Sequence, residues 1–287
     1  MKKRIAIVGS SGYISQFIIN EIYTQVDIKM IDRIKDDGIC YLDLSNADEF
    51  NYDQLAGIDY IIFTAAISGP DECAAEYDVC WKINVIGTIK FISKAIERNC
   101  CILFFSSDAV FGNIPGMIYN ENSQTRAITP YGRMKKAVED EFKGNKYFKA
   151  IRLSYVVSSK DRFVTYCLNS MRNGNTAEIY HPFYRNCISV QEVVQLVIWL
   201  LNNWEAIKTP FINAAGSELV SRLRIADEIN QLYNNKLKYI IVKPADAFYS
   251  NRPAITQMES LFIYNEGIIK REPFTRVIAK ALEGVKI

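Results

Sequence analysis

The first fifteen residues constrain this chain more than any other stretch. Residues 5–8 are Ile-Ala-Ile-Val, an unbroken apolar run that stops at Gly9, and Ser10-Ser11-Gly12-Tyr13-Ile14-Ser15 follow. An apolar run without alternation is what a strand buried on both faces requires. Phe17, Ile18, Ile22 and Tyr23 then recur at helical spacing. A second strand, Ile28 to Ile31, is closed by Asp32, 20 residues after Gly12. Strand, glycine turn, helix and strand in that order imply a right-handed crossover and parallel pairing. Glycine at the turn lets the backbone approach a pyrophosphate with no Cβ in the way, and a helix N-terminus offers unpaired N–H groups and partial positive charge. The loop therefore reads as a dinucleotide-phosphate site made by Gly9, Ser11, Gly12, Tyr13 and Ile14, with Asp32 placed to accept from a ribose. Ser15 stands where a third, packing glycine is common. Asp32 favours NAD, because a carboxylate repels a 2′-phosphate, whereas Arg33 beside it suits NADP. The cofactor reading is NAD or NADP, leaning to NAD.

The alternation continues. Asp59–Ala66, Cys101–Phe105 and Phe148–Val156 read as strands, and Glu72–Asn99 is long enough for a substantial helix. Tyr131–Phe142 is helical by the spacing of Ala137, Val138 and Phe142. This pattern is α/β: a doubly wound parallel sheet of Rossmann type. In the second half, Val190–Asn203, Ser221–Asn234 (Ser221 as N-cap) and Pro273–Leu282 read as amphipathic helices, and Phe211–Ala215 as a short strand. With no linker, low-complexity tract or repeat, that half is expected to form a smaller α/β substrate lobe. The expected division is 1–157 for the dinucleotide-binding domain, with 186–215 returning to it, and 158–185 plus 216–287 for the lobe.

Composition then removes function classes. The 34 basic and 32 acidic residues nearly cancel, which argues against nucleic-acid binding by bulk charge. A single histidine, His181, rules out paired-imidazole mechanisms and multi-histidine metal sites, and no metal is expected. The seven cysteines are odd in number, two are adjacent, and none are spaced as a zinc or redox pair. They read as buried free thiols of a reducing compartment. The N-terminal apolar run is too short for a signal peptide, and Gln195 breaks the stretch from Val193 to Leu201. No segment reaches the ~18 apolar residues of a membrane span, so the expected setting is cytoplasmic, with no membrane partner.

Chemistry is suggested by Tyr131-Gly132-Arg133-Met134-Lys135, which puts a tyrosine and a lysine on one helix face. A neighbouring ammonium favours the phenolate and is expected to lower the tyrosine's pKa, so that it can exchange a proton with a sugar or alcohol oxygen. Ser107 ends the strand before it, and strand carboxyl ends line the ligand crevice of an open parallel sheet. A hydroxyl there can hydrogen-bond a reacting carbonyl.

With these residues in hand, the chain resembles the extended short-chain dehydrogenase/reductases, and within them the dTDP-4-dehydrorhamnose reductases and their nucleotide-sugar relatives. Phe105-Ser106-Ser107-Asp108-Ala109-Val110-Phe111 is similar to that group's Ser-Thr-Asp-Tyr-Val-Phe segment. Arg185 through Val193 resembles the Arg-Asp-Phe-Ile-x-Val-x-Asp-Val segment of nucleotide-sugar epimerases, and Arg252-Pro253 a late Arg-Pro element. The resemblance implies Ser107, Tyr131 and Lys135 as catalytic residues. It places Thr64, Ala65 and Ala66 on the cofactor, Asp43 and Leu44 beside its adenine, and Asn84 in support of the lysine. It puts Ser68, Ser107, Asp108 and Ala109 near the substrate, and Arg185 and Arg252 on its diphosphate, for which a guanidinium fork is well shaped. The implied activity is NAD(P)-dependent reduction of a 4-keto nucleotide sugar, a small-molecule partner, with a homodimer as a family-level expectation only. Two alternatives stand beside it, 4-epimerisation and a non-catalytic cofactor-binding sensor or subunit. A 4,6-dehydratase would carry an acid pair after the active-site hydroxyl, whereas Ala109 follows Asp108 here.

Overall fold

The structure, a computed structural model, describes residues 2–287. Along the chain run β1 (Arg4–Val8), α1 (Tyr13–Ile22), β2 (Asp27–Asp32), β3 (Ile39–Tyr41), β4 (Tyr60–Phe63), α2 (Pro70–Ala75), α3 (Tyr77–Trp81), α4 (Thr88–Ile96) and β5 (Cys101–Ser107). Then come β6 (Ile118–Tyr119), α5 (Pro130–Phe142), β7 (Phe148–Leu153), β8 (Val156–Val157), α6 (Arg162–Asn173), β9 (Ala177–Tyr180), β10 (Tyr184–Asn186) and β11 (Ile188–Ser189). The chain closes with α7 (Val190–Asn202), β12 (Phe211–Ala214), β13 (Leu219–Ser221), α8 (Arg222–Leu232), β14 (Tyr239–Val242), α9 (Asp246–Ser250), β15 (Ile255–Met258) and α10 (Phe274–Ala281).

Two compact units share these elements. The first takes the chain up to Gly112, then Gln124–Arg152 and Val197–Ile212. The second takes Asn113–Ser123, Leu153–Leu196 and Asn213–Ile287. A seven-stranded sheet of order β12-β7-β5-β4-β1-β2-β3 organises the first unit, and β1/β2, β1/β4, β2/β3 and β4/β5 pair in parallel. This is the doubly wound arrangement the alternation of strands and helices implies. Ile5 through Val8 are buried on both faces.

On one face of that sheet, Phe63 of β4, Phe104 of β5 and Phe148 of β7 form an aromatic row, with centroids 6.0 and 5.9 Å apart. Phe91 of α4 and Phe142 of α5 pack on it at 5.8 and 5.1 Å. Side chains alternate along a strand, so Ile102, Phe104 and Ser106 share one face of β5. The row thus fixes α5 over the carboxyl end of β5, where Ser106 points at the helix. In the second unit α6, α8 and α10 enclose a separate core of Val164, Leu168, Ile225, Ile229, Phe274 and Ile278. A four-stranded sheet of order β13-β10-β15-β6 lies in the same unit.

Two expectations change. Residues 72–99 do not form one regular helix. Glu76 has non-helical dihedrals (φ −113°, ψ 50°) and separates α2 from α3, and a π-helical turn over Lys82–Gly87 joins α3 to α4. That turn carries Asn84, whose amide pairs with both the N–H and the carbonyl of Ile67, each at 2.8 Å. Those backbone groups lie past the end of β4, and the extra residue in the turn is what brings Asn84 to them. Pro273, expected in the first turn of the last helix, is instead its N-cap residue, with extended ψ. Ser221 caps α8 as expected, accepting from the Arg224 N–H at 3.0 Å.

Gly87 explains how this helix comes so close to the chain after β3. A Cβ there would sit 1.8 Å from the carbonyl oxygen of Leu44. Its φ of −66° is open to any residue, so the requirement is space alone. Replacing Gly87 with Ala is expected to lower unfolding free energy by about 3 kcal/mol through overpacking, measured by urea denaturation. A change within about 0.5 kcal/mol would contradict the contact.

Candidate active site

Both candidate sites of the first unit lie where its strands end. At the first, Gly9 has φ +84°, and a Cβ there would stand 2.8 Å from the Ala65 nitrogen and 2.9 Å from Thr64 Oγ1. Thr64 donates through its hydroxyl to the Val8 carbonyl at 2.8 Å, and Ser15 Oγ lies 2.7 Å from that hydroxyl. Ser15 is fully buried, so the residue in the packing-glycine position ties α1 to the end of β4 by a hydrogen bond. Gly12 caps α1 with no side chain, leaving the helix N-terminus without a side-chain partner. Ser10 Oγ is buried with no hydrogen-bond partner among the described residues. A tight glycine turn packed against the end of β4, a helix N-terminus without a side-chain cap and an orphaned hydroxyl fit a dinucleotide's phosphates.

Asp32 faces this loop. Its Oδ2 accepts both the N–H and the hydroxyl of Ser11 at 2.8 Å, and its Oδ1 accepts the Arg33 N–H at 2.7 Å. Of the carboxylate's roughly four acceptor positions, those three are filled, which leaves one on Oδ1 for a ribose hydroxyl. Asp43 caps the turn at Leu44, and the hydrogen bonds from Ser45 hold its carboxyl below the usual range. Leu44 is buried, Ala65 and Ala66 are half-buried, and Ser68 is exposed on the loop after β4.

The second site gathers on α5 and the end of β5. Thr129 caps α5, accepting from the Gly132 N–H at 3.2 Å, and Pro130 occupies its first turn. A Cβ on Gly132 would lie 2.2 Å from the Ala109 carbonyl oxygen. The glycine after Tyr131 is therefore what lets the helix abut the Asp108–Val110 turn. Ser107 caps that turn: its Oγ accepts from the Ala109 N–H at 3.2 Å, and its hydroxyl donates to Asp108 Oδ1 at 3.0 Å. Lys135 is 3% exposed, donates to the Phe105 carbonyl at 2.7 Å, and stands over the Phe104 ring at 4.5 Å. Its Nζ is 5.7 Å from the centre of the Tyr131 ring.

The electrostatics differ from the sequence-based expectation. The Tyr131 phenol is pushed above its usual value, first by burial and then by Cys73 and Asp108. Lys135 is pulled down to about 7 by burial, against Cys73 and Glu139, which favour its charge. The lysine does not win over the tyrosine because both are dehydrated, and its proton is held by a neutral carbonyl.

Sequence reading missed Ser106, Glu139 and Arg152. Glu139, one turn after Lys135 and 1% exposed, accepts from Ser106 Oγ at 2.6 Å and from Arg152 Nη2 at 2.7 Å and Nε at 3.0 Å. The available signal was an arginine within the strand Phe148–Leu153, next to its last residue. In the second unit, Arg185 is buried, lies over Phe183 at 4.4 Å, and donates to the carbonyls of Tyr184 and Pro253 at 2.6 and 2.8 Å. Arg252 lies over Phe248 at 4.5 Å and donates to its carbonyl at 3.1 Å. Among the described residues no cluster of metal-ligating side chains occurs, and no helix is long and apolar enough to cross a membrane. All seven cysteines are free.

A family model for the RmlD substrate binding domain matches residues 3–287. A dTDP-4-dehydrorhamnose reductase from Bacillus anthracis, solved in complex with NADP, is similar at 20% identity and a TM-score of 0.86, covering 99% of this chain and 100% of that one. MoeE5, solved with UDP-glucose and NAD, is similar at 17% identity and a TM-score of 0.79, over 98% and 97%. A UDP-N-acetylglucosamine 4-epimerase from Methanobrevibacter ruminantium is similar at 19% identity and a TM-score of 0.79, over 99% and 98%. These likenesses show the fold. No curated protein sequence matches.

Lys135 makes a measurable claim. A lysine with a lowered folded pKa binds fewer protons than the unfolded chain between the two values, so stability rises with pH across that window. The window here runs from about 7 to the ordinary value of 10.5. Unfolding free energy measured against a Lys135→Met variant is expected to climb by a few kcal/mol, on the order of 1.4 per pKa unit, as pH rises through it. A flat difference would contradict the dehydration of this lysine in the folded protein.

Proposed function

The chain belongs to the RmlD substrate binding domain family, and from that premise we propose that it is an NAD(P)-dependent oxidoreductase reducing the 4-keto group of a nucleotide-diphosphate sugar. The observation that carries this reading is the placement of Tyr131 and Lys135 on one buried helix face against the end of β5, which carries Ser107. Gly9, Ser11, Gly12, Tyr13 and Ile14 would hold the cofactor's phosphates, Asp32 and Arg33 its adenosine ribose, and Asp43 and Leu44 would flank its adenine. Thr64, Ala65 and Ala66 would contact the same cofactor, and Asn84 would support Lys135 through the fold. When bound, the reduced nicotinamide supplies a hydride.

The chain's own residues supply the proton and the polarisation. Tyr131 gives its phenolic proton to the sugar's carbonyl oxygen as negative charge builds there. Its high pKa in the dehydrated site keeps it protonated until that moment. Ser107 turns its hydroxyl from Asp108 toward the same oxygen; a hydroxyl rotates to suit its acceptor. Lys135 stabilises the phenolate that remains, and its ammonium has room for hydrogen bonds beyond the one to Phe105. Ser68, Asp108 and Ala109 are assigned to the sugar, and Arg185 and Arg252 to its diphosphate, by resemblance. A homodimer and a cytoplasmic setting belong to the same reading; the free thiols suit a reducing compartment.

The 4-epimerase remains the second reading, because epimerases share this fold. Stoichiometry separates the two, since a reductase consumes one reduced cofactor per sugar and an epimerase consumes none. Tyr131→Phe is expected to lower kcat by about 10²–10⁴-fold while leaving the thermal shift given by the reduced cofactor intact. Undiminished turnover in that variant would contradict the assigned proton donor.

A further inference from the structure

We propose that Glu139 is the internal counter-charge that holds Lys135 as an ammonium in the site, and that Arg152 sets how much of that charge Lys135 feels. This rests on the reading of Tyr131 and Lys135 as the proton-transfer pair. Both Glu139 and Arg152 are positioning residues in it, acting through Lys135.

Geometry puts the pair where it can do this. Lys135 and Glu139 are four residues apart on α5, hence neighbours on one face. The groups facing this buried stretch come from several elements. Tyr131 and Glu139 belong to α5 itself, Cys73 comes from α2, and Asp108 follows β5. Arg152 comes from β7, behind Glu139. The Lys135 ammonium donates to the uncharged carbonyl of Phe105. The Cys73 thiol is pushed up to about 12 by burial, so it is neutral in ordinary conditions. Glu139 is therefore the carboxylate that favours the ammonium, and Arg152, bidentate on it through Nη2 to Oε2 at 2.7 Å and Nε to Oε1 at 3.0 Å, opposes it.

A purely structural account explains the pair less well. Replacing a buried ion pair by apolar side chains is often neutral or stabilising, so such a pair is weak evidence of a stability role. This one is packed in apolar surroundings, with the Arg152 guanidinium over Phe111 at 5.0 Å and over Phe211 at 4.4 Å. Its Nη1 finds no hydrogen-bond partner among the described residues. A charge set so deep, one turn from the site's lysine, acts on that lysine through low dielectric.

The experiment titrates Lys135 directly. Protein carrying ¹³Cε-lysine is followed by NMR against pH in the native sequence, in Glu139→Gln and in Glu139→Gln/Arg152→Met, with Lys135→Met assigning the signal. Glu139→Gln removes the favourable charge and leaves Arg152 unpaired, so its midpoint is expected to fall by about one unit or more. The double variant removes both charges, and its midpoint is expected between the other two. Three midpoints agreeing within about 0.3 unit, well below that expected shift, would overturn the proposal. If Glu139→Gln does not fold, the charge-balanced double variant decides: a midpoint below the native one supports the proposal, an equal one overturns it. In the reduction assay the alkaline limb of kcat should move to lower pH in the same order, with KM for the sugar unchanged. A double variant with the native pH profile, whatever its melting temperature, would show that the pair does not act on Lys135 and overturn the proposal. The titration needs no substrate, so absence of any reduction would count against the reductase reading alone.

Discussion

Helix α5 is fastened to the end of β5 at three successive levels, and the site depends on that fastening. Gly132 meets the Ala109 carbonyl with no room for a Cβ, Lys135 donates to the Phe105 carbonyl, and Glu139 accepts from Ser106. These positions fall on one face of the helix; Phe105 and Ser106 are adjacent residues of the strand, and Ala109 lies in the turn that follows it. Each of the two hydrogen bonds alone is worth about 1 kcal/mol net. Together with the aromatic row beneath, they determine the separation of Ser107 from the tyrosine and lysine. Phe104 takes part in both, since it packs on Phe63 and Phe148 and lies under the Lys135 ammonium.

Burial decides the charge states at this site. Lowering a lysine from 10.5 to about 7 corresponds to a dehydration penalty on the order of 5 kcal/mol, several times a single neutral hydrogen bond. The same dehydration raises Tyr131. A sequence comparison of tyrosine and lysine suggests that the lysine simply lowers the tyrosine. In the folded protein each is shifted toward its neutral form, and the protein must add charge nearby to keep the lysine useful. A proton donor that holds its proton until negative charge appears on the substrate suits reduction better than a standing phenolate.

Much of this was legible in the chain. The unbroken run Ile5–Val8, the glycine at 9 and the acid at 32 identify the first crossover because each has one physical use there. Tyr131 and Lys135 are readable from their spacing. The π-helical turn was not, because it arises from Asn84 meeting the backbone of Ile67, two residues that nothing local brings together. Arg152 and Glu139 carry no local signal of a pair, since one lies in a strand and the other on a helix; only the packing of β7 against α5 reveals them as a buried pair. The short strands of the second unit, β9, β10 and β13 to β15, escaped reading because they have three to four residues' worth of pattern in irregular surroundings. Arg185, legible as a diphosphate ligand by resemblance, proves to spend several N–H groups on the carbonyls of its own neighbourhood.

The central claim is that this chain transfers hydride to carbon 4 of a keto sugar while Tyr131 protonates the oxygen. The most direct test supplies reduced nicotinamide deuterated at its transferable position together with a nucleotide-linked 4-keto-6-deoxy sugar, and examines the product by NMR and mass spectrometry. One deuterium per sugar is expected, bound to carbon 4, with an equal amount of cofactor oxidised. Sugar recovered without deuterium, or altered at carbon 4 with no net oxidation of the cofactor, would contradict it.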